Sequence, residues 1–389
     1  MTEQKPIARP NDPLHGQMLD TDGHMYMTPE VLQEVTAEVG SGFVGEFLNR
    51  FTGSDEDRKM RARNREDVWG VKGISALGSF NLPERLEALD LMGIRSQIVF
   101  PNTFGAEYRI NSEAARTVNR RYNDIALRWG RESGGRLRAA CPINMGDVAW
   151  AYNELERVIK GGATGIALPC AEAPGGVSPS HEIWDGFWAR IEEAGIPVYL
   201  HLGFGGLIAA SDPDPMLPPR AWGNSKYLRN RPADRPGGEE ATSPYFLLVA
   251  HMPAELYLMT MVMGKVFERF PRLTLGIFEF GTGWIGPLVE RMDGWCDFMA
   301  KVGVKYDMKP GEYVRRNVRT APFFHEDVAK QIERYGLEDI YCFMSDFPHL
   351  EGGRDPIVKY RRWIDRLERP GYDQRFFVDN ARPLFPGLA

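Results

Sequence analysis

Short runs rich in Val, Ile, Leu and Phe recur along the chain between longer amphipathic stretches, and this alternation restricts the fold more than any other feature. A strand that is apolar throughout needs both of its faces covered. One helix between successive strands supplies that cover and returns the chain parallel to itself. The expected strands are residues 18–22, 97–100, 137–143, 164–168, 197–201, 273–279, 317–321 and 339–345, the seventh with the weakest pattern. Helical patterns occupy 83–92, 112–129, 149–159, 183–194, 256–270, 284–299 and 326–335. Gly93, Gly195 and Gly336 each close a helical pattern a few residues before the next strand, as C-capping glycines in short αβ loops do. Eight such units predict an α/β fold, a (β/α)8 TIM barrel forming a single domain over residues 1–389.

Two stretches break the rhythm, residues 27–79 and 203–244, and both follow strands that end in polar residues. Long βα loops of a barrel form lids over its mouth, or else surface excursions and dimer contacts. The first contains D-E-D-R-K-M-R-A-R-N-R-E-D, expected as a solvated helix face. The second is rich in Pro, Gly and Arg, with Trp222, Tyr227 and the adjoining Tyr245 as candidate substrate walls.

Acidic residues outnumber basic ones 53 to 47, so a general electrostatic footprint for nucleic acid or an anionic membrane is missing. No apolar run approaches the roughly 20 residues of a membrane span, and the N-terminus has no apolar signal core. Cys141, Cys170, Cys296 and Cys342 lack C-x-x-C spacing and read as buried thiols of a cytoplasmic protein. There is no G-x-G-x-x-G after an N-terminal strand, no P-loop and no G-x-S-x-G elbow, which argues against a dinucleotide cofactor or a serine nucleophile.

Chemistry gathers instead at strand ends. Asp20, Asp22 and His24 share one face of an extended segment, with Asp22 and His24 at the end that opens toward an ion and Asp20 deeper, placed to orient a neighbour. His201 closes P-V-Y-L-H and the chain turns at once into glycines, which presents the ring at the barrel mouth; otherwise it is a hydrogen-bonded core histidine. Asp346 ends C-F-M-S-D, and an aspartate closing a buried strand must be paired, protonated or metal-bound unless it caps a helix. Together Asp22, His24, His201 and Asp346 form a mixed imidazole and carboxylate set for a divalent metal ion, zinc or manganese. His251 either faces this site or caps the helix that follows it. Trp284, His349 and Glu351 are further second-shell or substrate contacts.

The ordered motifs D-x-D-G-H, P-V-Y-L-H, F-E-F-G-T-G-W and S-D-F-P-H resemble the amidohydrolase-related superfamily along nearly the whole chain. The branch resembled contains aminocarboxymuconate-semialdehyde decarboxylase, γ-resorcylate decarboxylase and related metal-dependent hydrolases, with R-L-E-A-L-D-L-M-G-I, G-G-A-T-G-I-A-L-P, F-E-R-F-P-R-L-T-L and D-N-A-R-P-L-F in support. By this resemblance the family's first H-x-H becomes Asp22-x-His24, His201 is its later metal histidine and Asp346 its terminal metal aspartate. Glu279 stands where the family has a histidine. Its carboxyl, facing two other carboxylates, is expected to be pushed up and to serve as a proton shuttle, or else to act as a strut held by Trp284 or Arg291.

The resemblance implies metal-assisted hydrolysis of a small aromatic-derived or ring-cleavage carboxylic acid, with Asp346 moving protons, Glu279 and His251 as further catalytic candidates, and Arg220, Arg229 and Arg231 available to a substrate carboxylate. Non-oxidative decarboxylation on the same metal platform is the alternative, and a barrel without catalysis that only binds is the third. A homodimer is expected from the same resemblance and the loop lengths.

Overall fold

The computed structural model describes residues 12–37, 55–102, 111–203, 225–228 and 248–388. Its strands are short and parallel: Met18–Asp20, His24–Met25, Ile94–Pro101, Leu137–Ala139, Cys141–Pro142, Ile166–Ala167, Val198–His201, Leu275–Phe278 and Val318–Thr320. Met18–Asp20 and His24–Met25 both pair with Ile94–Pro101, which also pairs with Leu137–Ala139. A second ladder runs from Cys141–Pro142 through to Val318–Thr320. The two join where the 137–142 stave is interrupted, since the Ala140 N–H donates to the Val99 carbonyl at 2.8 Å.

Residues 340–347 complete the ring. On one side the Thr320 N–H donates to Ile340 and the Cys342 N–H to Thr320. On the other, Thr21, Asp346 and His24 join Phe343, Asp22 and Phe347 respectively, all at 2.8–3.0 Å. Eight staves closed by backbone bonds in this way form the TIM barrel. The expected strand over 339–345 is corrected in one respect: it makes isolated bridges, Thr320 to Tyr341 and Gly23 to Phe347, and no ladder. Asp346 bends the backbone into the left-handed region at φ 48°, which breaks a regular extended run. The stave with the weakest pattern, Val318–Thr320, pairs regularly with Leu275–Phe278.

Helices lie where the periodicity puts them, and Gly93, Gly195 and Gly336 cap them at φ 75°, 64° and 61°. The expected helix over 256–270 is two, Met252–Met263 and Val266–Arg269, parted at Lys265 with φ 60°. Pro310–Asn317 and Pro356–Asp365 are helices beyond those expected; each opens on a proline in the first helical turn, where its missing N–H costs nothing. The charged run forms Asp55–Glu66, and its Arg65 bridges Glu84 and Glu87. The four cysteines are buried and free. Of the second insertion only 225–228 is described, with Tyr227 exposed; Trp222, Tyr245, Arg220, Arg229 and Arg231 lie outside the described residues. Among the described residues no helix is long and apolar enough to cross a membrane.

Candidate metal centre and active site

The first strand ends at Asp20, and the chain stays extended through Asp22 and His24 because the last stave holds it from one side and Ile94–Pro101 from the other. This brings the first and last chemical motifs together. Asp22, Asp346, His24 and His201 are all buried. His24 Nε2 lies 3.3 Å from Asp22 Oδ1 and 3.4 Å from Asp346 Oδ1. His201 Nε2 lies 3.2 Å from the same Asp22 oxygen and 3.4 Å from Glu279 Oε2. Two overlapping trios result, Asp22 with His24 and His201, and Asp346 with His24 and His349, each with donor atoms within 4.8 Å of one another. Phe100 supplies an apolar floor, its ring 4.2 Å from that of His201.

Hydrogen placement tests whether an ion fits. His201 Nδ1 lies 2.6 Å from the Leu202 carbonyl, which can only accept, so this nitrogen carries the proton. Nε2, the other nitrogen, is turned toward Asp22 Oδ1 at 3.2 Å, a contact that either an N–H on this nitrogen or a cation between the two satisfies. Around them Asp22 Oδ2, both ring nitrogens of His24 and both oxygens of Asp346 are buried without a hydrogen-bond partner among the described residues. Buried polar atoms without partners are costly, and the two trios, which share His24, place donor atoms close enough to one another to hold a divalent ion. Two histidines and two aspartates suit zinc or manganese.

The electrostatics agree. Burial works to raise the Asp346 carboxyl, but His349 and His24 outweigh it and hold the group below the usual carboxylate range. Asp22 is likewise lowered, since His201 and His24 overcome burial. Glu279 goes the other way: burial, Asp346 and Asp22 all push its carboxyl well above the ordinary value. The shifts thus favour the ionised form at Asp22 and Asp346 and the neutral form at Glu279. Glu279 and Asp346 both sit in the left-handed region, at φ 63° and 48°. Longer side chains rarely adopt that conformation, and strain of this kind collects at functional sites.

Asp20 is fully buried beside these residues. It accepts from the Asp22 and Ser345 N–H groups at 3.2 and 2.8 Å, the Ser345 hydroxyl at 2.5 Å and Gln97 Nε2 at 2.7 Å. Burial pushes its carboxyl up to about 7 while those donors favour the ionised form. His349 stacks on His24 with centroids 3.8 Å apart, places Nδ1 3.1 Å from Asp346 Oδ1, and meets Asn102 Oδ1 with its other nitrogen at 3.1 Å. It therefore touches the centre directly.

His251 does not join this cluster. Its ring lies against Trp284 and its Nε2 is 3.5 Å from Glu255, because it begins a helix and does not end a strand. Trp284 donates to the Gly281 carbonyl, and Arg291 pairs with Glu255 and not with Glu279. Glu351 is half-buried and acts on Glu279 through its charge. Gln97, Asn102 and Phe100 were absent from the sequence reading. Gln97 alone carried a signal, as a polar residue inside an apolar strand, which must be bonded.

The Amidohydrolase family model matches residues 101–387. The chain belongs to the amidohydrolase family. Several solved structures share its fold over nearly their whole length. An amidohydrolase from Mycobacterium avium subsp. paratuberculosis K-10 superposes with a TM-score of 0.67 at 20% identity, covering 95% of this chain and 98% of its own. A 2,6-dihydroxybenzoate decarboxylase from Rhizobium gives 0.62 at 17%, with coverage of 95% and 98%. The 5-carboxyvanillate decarboxylase of Novosphingobium aromaticivorans DSM 12444, solved with manganese and 4-hydroxy-3-methoxy-5-nitrobenzoic acid, gives 0.62 at 17%, with 99% of each chain covered. No curated protein matches the sequence.

Proposed function

We propose that this amidohydrolase is a metal-dependent, non-oxidative decarboxylase of small aromatic hydroxy acids, with Asp22, His24, His201 and Asp346 holding the ion. The observation that carries the reading is the place of Glu279: it is buried 3.4 Å from His201 Nε2, and burial, with Asp346 and Asp22, pushes its carboxyl well above the ordinary value, toward the form that can donate a proton. Hydrolysis needs water held beside an ionised base, the part the sequence reading gave to Asp346. Decarboxylation needs a proton donor and no water, because the carbon–carbon bond breaks as carbon dioxide leaves and the ring carbon then takes a proton. Structural similarity to two decarboxylases of hydroxybenzoates adds support. It reverses the sequence ranking, in which hydrolysis came first.

A bound divalent ion supplies a Lewis acid that orients carboxylate and phenol oxygens. Glu279 gives the proton. Asp346, between His24 and His349, keeps those two rings in place. Phe100 excludes water from beneath His201.

The reading is tested by incubating manganese-loaded protein with hydroxybenzoates, including 2,6-dihydroxybenzoate, and separately with ring-cleavage esters and lactones. Carbon dioxide release without water addition is expected. Stoichiometric hydrolysis with no carbon dioxide would return the site to hydrolytic chemistry, and metal-loaded protein inert to both panels would favour a binding barrel.

A further inference from the structure

Arg85, in the first turns of Leu82–Met92, is fully buried, and among the described residues no carboxylate makes an ion pair with it. Its guanidinium donates instead to four acceptors. Nε reaches the Gly78 carbonyl at 2.8 Å, one terminal nitrogen reaches Gln97 Oε1 at 2.9 Å and the Phe347 carbonyl at 3.2 Å, and the other terminal nitrogen reaches the His24 carbonyl. Two of these carbonyls belong to the motifs that carry the metal donors: that of His24 itself and that of the residue after Asp346. Gln97 continues the chain of bonds, giving Nε2 to Asp20, which in turn takes N–H groups from Asp22 and Ser345.

Two glycines make room for the clamp. A Cβ on Gly78, at φ 71°, would overlap the Arg85 backbone, and a Cβ on Gly23 would overlap the Gln97 amide. Gly23 lies between Asp22 and His24, so the D-G-H spacing and the clamp fit together. A leucine would serve the apolar packing of this helix as well as an arginine, and burying a cation is costly unless its geometry is well satisfied. The planar fork of the guanidinium fixes several acceptors at set separations, which a lysine ammonium does not.

We propose that Arg85, acting with Gln97, is a positioning residue that sets the separation of the His24 and Asp346 donors, holding the first and last motifs at the spacing of one ion before that ion arrives. This rests on the metal-dependent reading above and assigns it a supporting layer of the kind that tunes metal affinity.

The test compares manganese affinity, by chelator competition, with the thermal midpoint of the metal-free protein. Arg85→Lys and Gln97→Met are set beside Leu258→Ala, a buried change on the outer helix Met252–Met263. Arg85→Lys and Gln97→Met are expected to weaken manganese binding about 10- to 100-fold, while Leu258→Ala, losing at least as much thermal stability, binds like the wild type. Should Arg85→Lys fail to fold, Gln97→Met decides. Undiminished binding in the variants, or an equal loss in Leu258→Ala, overturns the positioning role and leaves the decarboxylase reading intact. A wild-type protein that takes up no manganese overturns both.

Discussion

At the scale of single residues, the donors stand where an apolar strand has no reason to place a charge. Asp22, His201 and Asp346 were legible because each interrupts or ends a buried run, and a buried charge must find a partner. His201→Ala is expected to drop bound metal from about one equivalent to below about a tenth, with the circular dichroism of the barrel kept; unchanged metal content would remove His201 from the set. Glu279→Gln should retain metal and slow turnover by about 10²- to 10⁴-fold, the usual range for an acid–base group. Normal turnover would make Glu279 a strut. His24 gives a pH prediction. Burial and His349 both lower its imidazole, but Asp22 and Asp346 outweigh them and hold it above 6.5. The metal-free ring therefore keeps its proton below that raised value, and the metal must displace it. Metal binding below the raised His24 value should release protons, and affinity should fall as pH drops through and below that value, by about tenfold per unit. Titration calorimetry in buffers of different ionisation enthalpy measures the release directly; identical heats in all buffers would contradict it. Arg85 and Asn102 were not legible in this way, since their roles depend on partners 61 to 262 residues distant, among them His24, Phe347 and His349.

At the scale of elements, strand existence followed from the apolar runs, and the helices from their periodicity and closing glycines. What the pattern did not disclose was where pairing stops. Residues 340–347 bond to both neighbouring staves yet form no ladder, because Asp346 at φ 48° turns the backbone out of the extended form. The Asp346 carboxylate at this bend lies 3.4 Å from His24 Nε2 and 3.1 Å from His349 Nδ1. Gly23 marks the opposite wall. Gly23→Ala is expected to cost about 1–3 kcal/mol, as overpacking a filled site does, seen as a lower thermal midpoint together with weaker metal binding. A variant as stable and as metal-loaded as the wild type would show that Gln97 can move aside. The break at Lys265, where a non-glycine residue takes φ 60°, left no mark in the periodicity, and Pro310–Asn317 and Pro356–Asp365 are helices that the sequence reading did not include.

At the scale of the whole molecule, eight staves bring residues 22, 24, 201 and 346 to one mouth although the chain between them runs almost its full length. Barrel closure by the last stave is what joins the first motif to the last, so metal binding and barrel stability are linked. Manganese at 100 times its dissociation constant should raise stability by about 2.7 kcal/mol, and chelation should reverse the rise in thermal midpoint; a midpoint indifferent to both would separate the centre from the fold. Family membership was legible from ordered motifs, while the choice between hydrolysis and decarboxylation turned on how Glu279 is buried, which a linear motif does not carry. The most direct test is an anomalous-scattering map of manganese-loaded crystals. One peak is expected, ligated at about 2.0–2.2 Å by Asp22, His24, His201 and Asp346. A peak that misses any two of these side chains, or an empty map at full manganese loading, would contradict a single cation shared by the first and last motifs.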